Sequence, residues 1–357
     1  MTGFRAAIVH LGRESATGER RRVQSWERMV AAAGGTSCLV ALRTDHRRRA
    51  ALPRARDLGP LLRGGVVPET QSWSLESARR AIVAAHPDLV VFVTSRAFHP
   101  ALVGLARRSV LDLVDSLAVS YGDRARVTPG PGGAALGALS WCHARFEARS
   151  GPLGVTRVAA GWSDARALGA TWIPNVVEVT PPPSLAAAVV DLLFIGNLAY
   201  PPNVGAVRRL AGLWPAIQRQ RPGTTAMLAG RRPTAAVTAI AAELGWRVAA
   251  DFGSVPEIAS QARLAVAPLE LSAGIQNKVL DAAAAGLAQV VSPEAVLGMP
   301  PGFPAQVASS DAELVAEIAR LLDDPGARTV IAQRAQEHVR AEYSAARWAP
   351  AITELVG

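Results

Sequence analysis

Residues 264–286 read Leu264-Ala-Val-Ala-Pro-Leu-Glu-Leu-Ser-Ala-Gly-Ile-Gln-Asn-Lys-Val-Leu-Asp-Ala-Ala-Ala-Ala-Gly286, and they hold the only lysine of the chain, Lys278. The apolar run up to Leu269 predicts a buried strand, Gly274 a turn, and the residues from about Ile275 a helix. Gln289–Ser292 then supplies a returning strand, which completes a βαβ unit. Every other cation among the 38 Lys+Arg is arginine. Lysine is a compact point charge on a flexible stem and arginine a planar fork, so a lone lysine in this setting draws attention.

A glycine at 274 admits a ligand close to the backbone. The first-turn N–H groups of the helix, at the positive end of its dipole, suit a phosphate. Lys278 lies about one turn beyond Gly274 on the same face and adds full charge beside that anion. Asp281, three residues on, offers two acceptor oxygens to a pair of hydroxyls. Phosphate first and sugar hydroxyls deeper is the order of a nucleoside diphosphate with its ribose. The alternative is an exposed Lys278–Asp281 ion pair contributing about 0.2–0.5 kcal/mol.

Working outward, strand-like runs alternate with helical patterns on both sides. Ala6–His10, Thr36–Leu42, Pro87–Thr94 and Val110–Val114 read as strands in the first half, with a helix over Glu19–Ala33. Pro87–Thr94 is continuously apolar, as expected of a parallel strand covered on both faces. Arg126–Gly133, rich in Pro and Gly, reads as a mobile loop before a helix over Ala134–Ser150. Three prolines at 181–183 act as a semi-rigid spacer. Beyond them the alternation restarts at Asp191–Gly196, and the segment from Asp311 is helical. The expected architecture is α/β: two doubly wound Rossmann-like domains facing a cleft. The domains are 1–178 and 191–340, joined by a linker at 179–190, with a helix in 341–357 crossing back onto the first. No short-period repeat is visible.

At 357 residues, two domains are the natural division. The scarcity of lysine and asparagine reads as a GC-rich bacterial coding sequence. Cys38 and Cys142 are too few for a disulfide framework or a metal site. The formal charge of +9 comes from scattered arginines without an aromatic-basic stripe. It therefore favours phosphorylated substrates or an anionic membrane surface over nucleic acid. No secretory leader and no run of 18 uncharged apolar residues is found, so a cytoplasmic protein, peripheral at the inner membrane face, is expected.

All four asparagines fall in motif-like turns: Asn175, Asn197, Asn203 and Asn277. Three blocks, Phe194-Ile-Gly-Asn-Leu-Ala-Tyr-Pro-Pro-Asn-Val-Gly-Ala-Val207, Phe252-Gly-Ser-Val-Pro-Glu-Ile258 and Val266–Gly286, together resemble the family-4 glycosyltransferases of the GT-B fold. The likeness is strongest to bacterial exopolysaccharide-type sugar transferases. It covers residues 155–300 well and is weaker in the first domain, where Gly18–Arg22 and Val110–Ser116 carry it. The resemblance implies that Lys278 and the turn Gly274, Ile275, Gln276, Asn277 contact the donor diphosphate. Asp281 would meet the ribose, Phe252 and Gly253 would lie near the base, and Gly196 and Asn197 would form the floor. Two positions depart from the family's pattern. Aspartate 281 replaces the usual glutamate, and Ala273 stands where many members carry a glutamate toward the donor sugar. Glu270 is the carboxylate close enough in sequence to substitute.

In the first domain, Arg13, Gly18, Glu19 and Arg20 follow the first strand and are candidates for the acceptor side, although such a loop also serves as a plain solvated helix start. Asp112 and Asp115 end a buried strand. A carboxylate there can orient an acceptor hydroxyl or act as general base, or Asp115 can cap the next helix. His99 is a candidate for positioning sugar hydroxyls. No Asp-x-Asp triplet occurs, so no metal, and no other cofactor, is expected beside the donor substrate. The expected function is retaining, metal-independent transfer of a sugar from a UDP or GDP sugar to a sugar, lipid-linked or small-molecule acceptor, in polysaccharide, glycolipid or glycosylated-metabolite biosynthesis. A sugar-nucleotide epimerase and a non-catalytic nucleotide-binding scaffold are the alternatives.

Overall fold

The computed structural model describes residues 3–12, 17–42, 63–69, 74–181, 188–271 and 274–357. The chain forms two compact units. One comprises Met1–Val176, Ala273–Ile275 and Ala345–Gly357, the other Val177–Ser272 and Gln276–Ser344.

The first unit is built on six strands: β1 (Arg5–His10), β2 (Thr36–Ala41), β3 (Leu89–Val93), β4 (Arg108–Asp112), β5 (Thr156–Ala159) and β6 (Thr171–Trp172). Their order is β2-β1-β3-β4-β5-β6, with every pairing parallel. All five residues of β3 are buried, because helices cover both faces of a parallel sheet. Each such Val, Leu or Phe contributes about 1.5–3 kcal/mol by leaving water. On one face Trp26 and Met29 of the helix Thr17–Ala32 meet Trp348 and Ile352 of the final helix, Ala345–Val356. That helix is amphipathic, and its apolar stripe is what returns the end of the chain to the first unit.

The second unit has β7 (Val190–Ile195), β8 (Ala226–Ala229), β9 (Arg247–Ala249), β10 (Ala262–Ala267), β11 (Gln289–Val291) and β12 (Gln306–Val307). The order is β12-β11-β10-β7-β8-β9, again all parallel. From β7 the chain steps outward through β8 and β9, then returns to lay β10 on the other side. The direction of winding therefore reverses between β7 and β10. The carboxyl ends of those two strands mark the switch point, the place where doubly wound sheets bind ligands.

Two readings need correction. Arg126–Gly133 is not a loop: one helix runs Leu117–Val127 and the next, Gly130–Arg149, begins inside the Pro-Gly run. Proline is tolerated in a first helical turn, where its missing N–H is not needed. Gly133 is buried there, because a Cβ would collide with the carbonyl oxygen of Thr128. The helix bearing Lys278 spans Asn277–Ala284, two residues later than the periodicity suggests. Residues 182–187 of the expected linker, and Arg13, lie outside the described residues.

Candidate functional site

Gly196 follows β7 and Gly230 follows β8. A Cβ on Gly230 would overlap the carbonyl oxygen of Gly196, so the two chains can pass only as glycine backbone. A Cβ on Gly196 would come 2.7 Å from Nδ2 of Asn203. That amide sits in the first turn of the helix Pro201–Gln220 and is buried. Its Nδ2 donates to the carbonyl of Asn197 at 2.9 Å, while the Asn197 side chain accepts from Ala199 N–H at 3.1 Å. With Nδ2 committed, Oδ1 of Asn203 is aimed away from the turn and accepts from the Lys278 ammonium at 2.7 Å.

Lys278 also donates to Oε1 of Gln276 at 3.2 Å and lies 5.7 Å from the centre of the Phe194 ring. Its partners are two neutral amides and an aromatic face, so the ammonium is drawn inward without being neutralised. Burial pushes its pKa down to about 8. The side chain does not extend into bulk solvent, and its two hydrogen bonds go to residues other than Asp281. Asp281, half-buried, is on the next turn of the same helix. Glu270 is exposed just past β10, with Oε2 3.9 Å from where a Gly205 Cβ would stand. Phe252 packs its ring partly into the core beneath β7 and β10, and Gly253 next to it is exposed. These groups lie beyond the carboxyl ends of β7–β10, around the switch point.

Gly274 and Ile275 belong instead to the first unit. Gly274 has φ +68°, and a Cβ on it would come 2.8 Å from Cβ of Asp115. Conformation and contact both demand glycine here. The predicted donor set is therefore divided: Gly274 and Ile275 pack with first-unit residues, the rest with the second unit.

Around Asp115 the first unit gathers charge at the ends of its strands. Thr94, after β3, and Val114, after β4, have φ of +73° and +63°. Both are β-branched, and such backbone costs about 1–3 kcal/mol each, a strain that tends to collect at functional sites. Burial and the neighbouring charges of Asp164 and Glu147 push the Asp115 carboxyl up to about 7, against the opposing pull of Arg96. Glu147 accepts from Ser116 Oγ at 2.8 Å and from Ala118 N–H at 3.0 Å, and burial raises it too. Beside it runs a buried chain in which His143 lies 3.3 Å from Ser95 Oγ and 3.2 Å from Oε1 of Glu69, which also accepts from Tyr121. Asp164, Glu147 and His143 were not foreseen. Their only sequence signal is polar residues on otherwise apolar helix faces.

Other first-unit candidates have local tasks. Asp112 is fully buried; Arg22 Nε donates to it at 2.5 Å, Trp26 Nε1 at 2.6 Å and Val114 N–H at 3.0 Å. A carboxylate so enclosed cannot meet an acceptor, which corrects its assignment to the acceptor side. Glu19, in the first turn of its helix, accepts from Leu11 N–H at 2.5 Å and fastens the end of β1. Gly18 and Arg20 are exposed in that same turn. His99 caps a short 3-10 turn, its Nδ1 accepting from Ala101 N–H at 3.1 Å. A surface pocket lined by Val103, Arg107, Arg108, Gly154 and Thr156 opens at the amino ends of β4 and β5. That is the opposite end of the sheet from where doubly wound folds bind ligands.

Residues 189–324 match the family described as Glycosyl transferases group 1. Solved structures similar over the whole length share the fold. Sucrose-phosphate synthase from Thermosynechococcus elongatus superposes with a TM-score of 0.67 at 14% identity, covering 99% of this chain and 98% of its own. HepE of Anabaena, solved in complex with UDP and glucose, gives 0.66 at 14% identity, covering 98% of each chain. A glycosyltransferase from Rickettsia africae gives 0.60 at 10% identity, covering 100% and 98%. No curated protein matches in sequence. At such identities the likeness establishes the fold, which is that of GT-B glycosyltransferases.

Proposed function

We propose that the protein transfers a sugar from a nucleoside-diphosphate sugar to an acceptor hydroxyl, as a retaining, metal-independent enzyme of the family-4 type. One observation carries the reading: a partly desolvated ammonium, held by neutral amides at the switch point of a Rossmann-ordered sheet, inside the segment matching a sugar-transferase family. Such a cation is a preorganised countercharge for a diphosphate, whose negative charge grows as the sugar departs. Asp281, further along the helix, would take the ribose hydroxyls, and Glu270 would approach the donor sugar. HepE's complex with UDP-glucose favours a uridine diphosphate donor over a guanosine one.

Asp115 is the base we assign to the acceptor side. We assign neutralisation of the diphosphate to Lys278 and the helix N–H groups. Peripheral attachment at the inner membrane face is supported by Trp141, half exposed beside Arg145 at 4.8 Å, on a helix whose exposed positions are otherwise alanine, glycine, proline and arginine. No described helix is long and apolar enough to cross a membrane.

The test is incubation with a panel of UDP and GDP sugars, with and without sugar, lipid-linked and small-molecule acceptors. Free diphosphate released from one donor, undiminished by EDTA, is the expected outcome. Release from no donor would favour a nucleotide-binding scaffold, and an isomerised sugar nucleotide would favour an epimerase.

A further inference from the structure

The pocket at the amino ends of β4 and β5 has a volume of about 310 Å³, at the lower end of what small-molecule sites enclose. Arg107, Arg108, Ser109 and Thr156 form its polar wall, and among the described residues no aspartate or glutamate lines it. Gly104 and Gly154 leave its rim open: beyond their chain neighbours, no atom lies within 4 Å of where a Cβ on either would stand. Arg108 opens β4 and Asp112 closes it, roughly 13 Å apart at about 3.3 Å a step. The pocket is therefore separate from the Asp115 end of the same sheet.

Two features distinguish it from ordinary exposed surface. Nη2 of Arg107 donates to the Gly357 carbonyl at 3.1 Å, which anchors one tip of that guanidinium fork, while the Arg108 guanidinium has no hydrogen bond or ion pair among the described residues. Ser109 is only 8% exposed, yet its hydroxyl has no partner among the described residues either. A buried serine kept for the fold alone ordinarily donates to a nearby backbone carbonyl. This one lines the pocket with its donor unused.

We propose that this pocket binds a small phosphorylated metabolite, with Arg107 and Arg108 on the phosphoryl oxygens and the Ser109 hydroxyl completing their hydrogen bonds. Guanidinium forks match phosphate oxygens in pairs, and two cations without a lining carboxylate leave net positive charge for a dianion to answer. A carboxylate, with two oxygens, would use fewer of these donors. Inorganic phosphate alone would leave most of the volume empty, so the occupant carries an uncharged body that fills the rest. It is not the reacting acceptor, which has to reach Asp115 at the other end of the sheet. The inference is independent of the sugar-transfer reading.

Calorimetric titration of the full chain with glucose 6-phosphate, glycerol 3-phosphate, glucose and inorganic phosphate tests it. The same series on Lys278→Met removes capture of phosphate by the donor site. One of the two phosphoesters should bind both proteins with the same Kd, at least about tenfold more tightly than inorganic phosphate. Arg108→Gln should weaken that binding by about 10- to 150-fold and Ser109→Ala by about 2- to 13-fold, each variant melting close to wild type. Failure of both phosphoesters to saturate the protein below about 1 mM overturns the site. So does binding that Lys278→Met abolishes, or that Arg108→Gln and Ser109→Ala leave unchanged. Glucose or inorganic phosphate binding as tightly as the phosphoesters overturns the phosphorylated-metabolite class. None of these outcomes depends on a sugar being transferred.

Discussion

Replacing Lys278 by methionine separates binding from stability, because the two should change in opposite directions. Burial holds the ammonium at about 8, below the ordinary lysine value of about 10.4. Keeping it charged at pH 7 therefore costs the folded state up to about 3 kcal/mol. Methionine fills similar space and removes that cost, but it strands Oδ1 of Asn203, which loses about 1–3 kcal/mol. The net is about 0–2 kcal/mol in favour of the variant, a melting temperature unchanged or raised by up to about 6 °C. A diphosphate, by contrast, loses a charge-assisted hydrogen bond of about 1.5–3 kcal/mol, or about 10- to 150-fold in Kd. The sign with pH can be checked separately. The unfolded chain keeps this proton to about 10.4 and the folded chain to about 8, so the unfolded state binds more protons between them. Wild-type stability gains a contribution from this site as pH rises through that window, and the variant lacks it. Wild-type UDP affinity should fall about tenfold from pH 7 to pH 9 as the ammonium deprotonates, while the variant's stays flat. Calorimetric titration with UDP and thermal melts at both pH values decide it. A Kd within threefold of wild type, or a melting temperature lowered as by a core cavity, would refute the reasoning.

Arg22→Met should destabilise the protein by about 3–5 kcal/mol in urea unfolding, because Asp112 would be left as a buried, uncompensated charge. Gly230→Ala should cost at least about 2 kcal/mol and also weaken UDP binding, since its Cβ would displace the Gly196 turn that orients Asn203; UDP affinity unchanged in a folded variant would contradict the assigned route from Gly196 to Lys278.

The parallel sheets were legible because strands buried on both faces have to be written as apolar runs, as at 89–93 and 190–195. Two helices begin after a hydroxyl cap, Thr234 and Ser310, each of which accepts from the N–H three residues on. The Pro-Gly stretch at 129–133 misled, since a proline tolerated in a first turn resembles one that breaks a helix. Lys278 stood out because arginine had displaced lysine everywhere else. Its partner Asn203 is 75 residues away and could be flagged only as a rare residue in a turn. Nothing local distinguishes Asp112 from Asp115 in Asp112-Leu-Val-Asp115. Their fates diverge through Arg22, 90 residues distant, and through Gly274, contacts that exist only after folding.

That divergence gives a physical criterion for which charges in this protein are structural. Asp112 and Arg22 are both fully buried, and they answer each other's charge. The pair has no field left to act on a ligand, and its work is to join the helix Thr17–Ala32 to the end of β4. Lys278 is treated in the opposite way. Two amide oxygens accept from two of its three N–H donors and leave its charge intact, so the protein bears a desolvation cost that an anion would relieve. Asp115 shows the same condition with the sign reversed, raised by burial and by neighbouring carboxylates and opposed mainly by Arg96. A fold selected for stability alone would pair or delete both groups, as it has done at Asp112. Among the described residues beyond the carboxyl ends of the strands, the Lys278 ammonium in one unit, and the Asp115 carboxyl with Asp164 and Glu147 near it in the other, are charges left in that condition.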